Sequence, residues 1–335
     1  MKNLLMAAAA TISLASPIHA QDEAAEAFLS PGEIVEQAAP EEWVAIPAEE
    51  LLVMDLTPDR EGNARRVIIQ LMPAPFSQGW VENIKTLTRS GWFDGTAVIR
   101  VQDNYVVQWG DPAADEEGAK PLPEGLKVME ESEYSASTHI RTIGSPAPVT
   151  YESLRKRDEL RLEQWLPSDP YSRAPFQGVK FHAGWPVAID ETQAWPVHCY
   201  GMVGVGRGMS PNTGDGSSLY TVIGHAPRHL DRNIALVGRI VEGMEHLSSL
   251  PRGHGPLGFY ADDELDKRTE IVAVRMGNEL EEFPQPQFEY LSTESESFAK
   301  YAEARANRRD PFFIIPAGGA DICNIPVPIR AVPTE

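Results

Sequence analysis

A chain of 335 residues, 42% of them hydrophobic, is long enough for one large domain or two small ones and can bury a core, which excludes a disordered polypeptide. Its formal net charge of −20 is spread along the sequence and forms no basic patch, which argues against nucleic acid as a partner.

Residues 1–20, MKNLLMAAAATISLASPIHA, carry one positive charge at Lys2, an apolar core of about a dozen residues and a small residue at Ala20. This is the pattern of a secretory signal peptide, because the apolar run is shorter than the ~20 residues of a spanning helix. The rest of the sequence offers no candidate span. The expected product is an exported, periplasmic chain beginning at Gln21. Gln21 to Glu50, rich in Ala, Glu and Pro, reads as a tether.

Leu51–Leu56 and Arg66–Leu71 read as strands joined by the polar turn Pro58–Asn63. Ser77 can cap a helix to about Ser90, with Trp80, Ile84 and Leu87 on one face and Gly91 closing it. Phe93 to Pro112, FDGTAVIRVQDNYVVQWGDP, then reads strand, turn, strand, which puts Arg100 and Gln108 on adjacent strands. An arginine inside so apolar a strand is either a snorkelling, solvated side chain or a fixed guanidinium that presents donors to a ligand.

Ala113 to Trp195 is proline-rich and charged, with one helix expected over Tyr151–Trp165, and reads as an insertion between sheet strands. Strand patterns resume at Val197–Val205, Leu219–Ile223 and Ile234–Ile240. A short helix follows at Glu242–Leu250, then a Gly/Pro/acidic loop, Arg252–Asp266, and a closing strand at Glu270–Met276. Beyond it, residues 277–335 form a C-terminal extension. Thr293-x-x-Glu296 reads there as a capping box opening a helix with Phe298, Tyr301 and Ala302 on one face. The only cysteines are Cys199 and Cys323. In an exported chain they point to a disulfide, and two buried free thiols are the other reading.

Two stretches carry a resemblance. The first holds Asp94-Gly95, Arg100, Gln108 and Gly110-Asp111-Pro112; the second runs from Leu230-Asp231 to Gly238-Arg239-Ile240-Val241-Glu242-Gly243-Met244. At this spacing and in this order they resemble the cyclophilin family of peptidyl-prolyl isomerases, over roughly 51–112 and 197–276. The resemblance implies a mainly β fold: a closed eight-stranded antiparallel barrel capped by two helices, here with the inserted segment and a C-terminal helical tail. It also implies isomerisation of X-Pro bonds in proline-containing, unfolded or exported polypeptides, without metal or cofactor. By residue, Arg100 matches the family's catalytic arginine and Gln108 the side chain that holds the substrate backbone. Tyr105, Val106, Tyr220 and Leu230 match the proline pocket, and the backbone at Gly206 and Arg207 lines the groove.

Several positions depart from the family pattern. Val98-Ile99 replaces the usual Phe-His before the arginine. Val106, Tyr220, Ser218, His229 and Ile234 stand where the family has a Phe or Met, a Phe, a Gln, a Trp and a His. These changes keep open a second reading, a weakly active or inactive cyclophilin-like module that binds proline-containing segments or an envelope partner. Other motifs lead nowhere. Gly204-Val205-Gly206-Arg207-Gly208 lacks the spacing of a dinucleotide loop. His225 and His229 are separated by Pro227 and have no third ligand nearby, so no metal is expected. His198-Cys199 shows no sign of an orienting third group.

Overall fold

The computed structural model describes residues 28–114, 117–137, 178–190, 192–280 and 285–332. Its first elements lie where a tether was expected. The helix α1 (Pro31–Glu36) opens on a capping box between Ser30 and Glu33, and the short strand β1 (Trp43–Ala45) follows, its Trp43 buried. The tether reading therefore fails for residues 30–50. Local periodicity cannot reveal a strand of three residues whose partner lies far along the chain.

Eight strands then make the barrel. They are β2 (Leu51–Leu56), β3 (Arg65–Leu71), β4 (Ala97–Val101) and β5 (Val106–Gly110), with β10 (Met202–Val205), β11 (Leu219–Val222), β12 (Leu236–Glu242) and β13 (Thr269–Met276). They close in the order β10-β11-β5-β4-β13-β2-β3-β12, every pairing antiparallel. Leu52, Met54, Val67 and Ile69 point into the barrel core, while Leu51, Val53 and Ile68 pack outside it against Ile46 and Phe288. Burial on both faces explains why β2 and β3 read as nearly continuous apolar runs.

The helix α2 (Gln78–Arg89) seals the core with Trp80, Ile84 and Leu87, and α3 (Met244–Ser248) contributes Leu247. Ser77 does not cap α2. Its φ of 55° is left-handed rather than extended, and it makes no capping bond; the Gln78 amide instead donates to the carbonyls of Met72 and Phe76 at 3.0 and 2.8 Å. The helix α3 begins at Met244 because Gly243, at φ 80°, turns the chain out of β12.

Between β5 and β10, the strands β6 (Ala136–Ser137), β7 (Gly178–His182), β8 (Trp185–Ile189) and β9 (Gln193–Pro196) form a second sheet in the order β6-β9-β8-β7. Proline content hid it from the sequence reading. Pro186 sits within β8, where its carbonyl still accepts from the Val197 amide at 3.1 Å. Trp185, Val187 and Ile189 join the barrel's apolar core. The helix expected over Tyr151–Trp165 lies outside the described residues.

The C-terminal extension folds back onto the start of the chain. β14 (Phe288–Leu291) pairs with β1 on one side and with β15 (Ile329–Ala331) on the other. The helix α4 (Glu296–Ala306) buries Phe298, Tyr301 and Ala302. Its cap is Ser295, whose hydroxyl accepts from the Phe298 amide at 3.0 Å; Thr293 is buried instead, accepting from the Gly184 amide at 3.3 Å. The chain is also tied covalently, Cys199 to Cys323, with Cα atoms 5.1 Å apart. Among the described residues, no helix is long and apolar enough to cross a membrane.

Candidate active site

A β-bulge resolves the puzzle of the arginine in an apolar strand. Val98 pairs with Trp109 and Arg100 with Gln108, so Ile99 is one residue extra on β4. Strict alternation would put Val98 and Arg100 on one face and Val101 on the other. The extra residue lets both valines point into the core and turns Ile99 and Arg100 outward together, half-buried. Arg100 therefore lies on the outer face of the barrel beside Gln108.

The guanidinium is held on several sides. Its Nε donates to the Leu257 carbonyl at 2.6 Å, Nη1 donates to Gln108 Oε1 at 3.1 Å, and Nη2 donates to Gln102 Oε1. The rings of Tyr105 and Phe259 flank it at 5.6 and 5.4 Å. Burial pulls its pKa below the ordinary arginine range, and the two tyrosines, Tyr105 and Tyr220, act in the opposite sense. A guanidinium has five N–H donors, so these bonds leave part of the fork for a ligand.

Leu257 and Phe259 belong to the Gly/Pro/acidic loop, to which the sequence reading gave no role. The loop runs along β4, with the Gly253 amide donating to Val101 O at 3.0 Å and the Tyr260 amide to Ile99 O at 3.2 Å. Gly258 lies so close to Gln102 that a Cβ there would fall 2.7 Å from its Cα. Glu264 closes the loop. It accepts from the His254 amide at 2.9 Å, the Ala261 amide at 3.1 Å and Lys267 Nζ at 2.6 Å, and it also pairs with the His254 ring. The bonds from His254 and Lys267 hold its carboxyl far below the usual range.

Gln108 is an organiser as well as a surface group. Its Nε2 donates to Ser218 Oγ at 3.0 Å, across from Gly206. A Cβ at Gly206 would come within 2.6 Å of that hydroxyl, so the glycine makes room for the Gln108–Ser218 pair. These groups, with Ile99 and Phe259, line a cleft of about 580 Å³. Its far walls are the 206–218 loop and Lys127-Val128, pinned to α2 by Asn83, whose amide donates to Lys127 O and Asp215 O at 2.9 and 3.0 Å. Arg207 also lines this cleft, its guanidinium tied down by donating to Asn233 O at 2.9 Å and Gly208 O at 2.8 Å.

Beside this cleft, Val106, Tyr220, Val222 and Leu230 form a separate apolar cluster on the outer barrel face, with Tyr105 and Ile234 at its edge. His229 is exposed and stacks on Tyr105, ring centroids 6.1 Å apart. Arg100, Gln108, Tyr105, Val106, Gly206, Arg207, Ser218, Tyr220, His229, Leu230 and Ile234 thus gather on one face. Sequence reasoning missed Phe259 and Leu257. It also missed His198, whose orienting carboxylate, Asp231, lies 33 residues away at 2.9 Å.

The family model for cyclophilin type peptidyl-prolyl cis-trans isomerase/CLD matches residues 61–275. Among solved structures, the cyclophilin AquaCyp293 from Hirschia baltica is similar over 88% of this chain and 94% of its own, with TM-score 0.60 and 20% identity, a likeness of fold. A cyclophilin type peptidyl-prolyl cis-trans isomerase from Cryptosporidium parvum, solved in the presence of the dipeptide Ala-Pro, aligns over 67% of this chain and 98% of its own at 10% identity and TM-score 0.35. No curated protein matches the chain. With the family model spanning most of the sequence and the closed barrel on which its motifs sit, the chain belongs to the cyclophilin-type peptidyl-prolyl cis-trans isomerase family.

Proposed function

We propose that this protein isomerises X-Pro bonds of exported polypeptides, with Arg100 as the catalytic residue and no metal or cofactor in the reaction. The uncatalysed barrier is about 18–20 kcal/mol and comes from amide resonance. Twisting the bond localises the lone pair on the prolyl nitrogen. A donor aimed at that nitrogen binds the twisted amide better than either planar isomer, which lowers the barrier by differential binding. The observation that carries the reading is the bulge at Ile99, which presents a half-buried, ring-flanked guanidinium opposite Gln108 and beside an apolar cluster. In this reading the prolyl ring enters the cluster of Val106, Tyr220 and Leu230, while Gln108 and the backbone near Gly206 hold the flanking chain. Export rests on residues 1–20 and accords with the Cys199–Cys323 bond, which an oxidising compartment preserves.

A protease-coupled assay on the purified chain tests the activity. Acceleration of prolyl isomerisation that is lost in Arg100→Ala supports it; wild-type rates at background refute it. Two observations favour the second reading, a binding module. Three bonds already tie the Arg100 fork, and Ser218, His229 and Ile234 occupy positions where the resemblance calls for Gln, Trp and His. Binding of a proline peptide without turnover selects it.

A further inference from the structure

Behind the apolar cluster the Tyr220 hydroxyl begins a chain of polar groups to which the reaction outlined above gives no role. Tyr220, His198, Asp231 and Arg228 are each less than 10% exposed. Asp231 Oδ1 accepts from the His198 amide at 3.0 Å and from His198 Nδ1 at 2.9 Å, and Oδ2 accepts from Arg228 Nε at 2.6 Å. The carboxylate takes two donors from His198 and a third from an arginine, so Nδ1 of the imidazole is the donor in this contact. In the neutral ring Nε2 is then the acceptor, and the Tyr220 hydroxyl, 3.0 Å away, donates to it. The tyrosine and imidazole planes lie 13° from parallel.

The arrangement joins two separate parts of the apolar cluster. Tyr220 stands on β11. Arg228 and Asp231 bracket the turn that brings His229 and Leu230 to the rim. His198 connects them. The backbone opposite is shaped to match: Gly204, the cross-strand partner of Tyr220, has the tyrosine ring where a Cβ would be. With phenylalanine at 220, the position would supply an apolar wall but leave His198 Nε2 buried without its donor.

We infer that this buried Tyr–His–Asp–Arg chain is a positioning device for proline recognition, in which His198 and the Tyr220 hydroxyl fix the pocket's shape. The inference rests on the isomerase reading for its substrate. It assigns a role in binding to His198, Asp231 and Arg228, which stand behind the wall that Tyr220 presents to the prolyl ring. His198 is a positioning residue, and its loss should weaken ground-state and transition-state binding alike.

The test uses the oxidised full chain and a succinyl-Ala-Ala-Pro-Phe anilide, with kcat and KM measured separately and Tm recorded for each variant. Tyr220→Phe should raise KM on the order of fivefold, the size of one neutral hydrogen bond, and leave kcat within about twofold. His198→Asn and His198→Gln divide the chain at its middle. Asn keeps a donor near the Nδ1 position for Asp231 but loses the Tyr220 contact; Gln reaches the Nε2 position and keeps an acceptor for the hydroxyl. His198→Asn should match Tyr220→Phe, His198→Gln should lie near wild type, and the double variant Tyr220→Phe, His198→Asn should be no worse than either single one. A KM unchanged in Tyr220→Phe, or equal in the Asn and Gln variants, overturns the inference, including when Tm falls. If wild type binds the peptide without turning it over, the isomerase reading fails, and the same ordering of Kd values decides the inference. Wild type that neither binds nor turns over the peptide sinks both.

Discussion

Replacing Arg100 by lysine keeps the charge between Tyr105 and Phe259 and removes the planar fork. The structure sets the expected size of the effect. The fork makes a 2.6 Å bond to Leu257 O, a 3.1 Å bond to Gln108 and a further bond to Gln102, so its remaining donors point in fixed directions. An ammonium has three rotatable donors on a flexible stem and reproduces none of that geometry. Losing one charge-assisted hydrogen bond of about 1.5–3 kcal/mol in the transition state corresponds to about 10- to 150-fold in kcat/KM. Arg100→Ala should fall further. Stability should respond more weakly, because the tie between β4 and the 253–260 loop through Leu257 is one half-exposed bond. Its loss should lower Tm on the order of 2 °C. The assay is protease-coupled isomerisation with kcat/KM expressed per folded molecule, alongside thermal unfolding of the same samples. If activity declines only in proportion to the folded fraction, Arg100 is structural and the catalytic assignment is wrong.

Other outcomes follow from particular contacts. Gly204→Ala should cost about 1–3 kcal/mol of stability by overpacking, because the new Cβ meets the Tyr220 ring, and chemical denaturation measures it. Burial, with Glu264 nearby, pushes the Tyr260 hydroxyl up to about 12. A folded pKa above the unfolded value of about 10 means that its contribution is complete below pH 10 and is lost as pH rises toward 12. The stability gap between wild type and Tyr260→Phe should therefore narrow across that window, and a constant gap counts against the assignment. The disulfide spans a sequence separation of 124 residues. In the chain-entropy model such a loop is worth about 5 kcal/mol, so Cys323→Ser should unfold at markedly lower denaturant. Alkylation of denatured, unreduced protein should label no thiol, and two labelled thiols would refute the bridge.

The barrel was readable because its strands announce themselves by local pattern, and Arg100 and Gln108 because they sit in a hairpin with an evident turn. What escaped the sequence depends on contacts that span many residues. The role of Ile99 as a bulge appears only once Val98 is registered on Trp109 and Arg100 on Gln108. His198 seemed to lack an orienting group because Asp231 comes from a turn beyond β11. Phe259 and Leu257 lie in a loop whose glycines and prolines carry no periodicity, and their use comes from running beside β4. The small sheet of β1, β14 and β15 was missed for the same reason: Trp43 pairs with Leu291, and no window along the chain contains both.

That sheet bears on how the chain acquires its structure. Its first strand, at residues 43–45, pairs only when residues 288–291 have been made, and β2, paired early with β3, keeps its other edge open until β13 closes the barrel. A polypeptide emerging from its N terminus therefore exposes apolar strand edges through most of its synthesis, and its topology makes folding slow. The pairing of β14 with β15 draws on residues 329–331. Completion of the fold is thus postponed until residues 329–331 have been made, so the parts of the chain folded before then keep strand edges that only later segments cover.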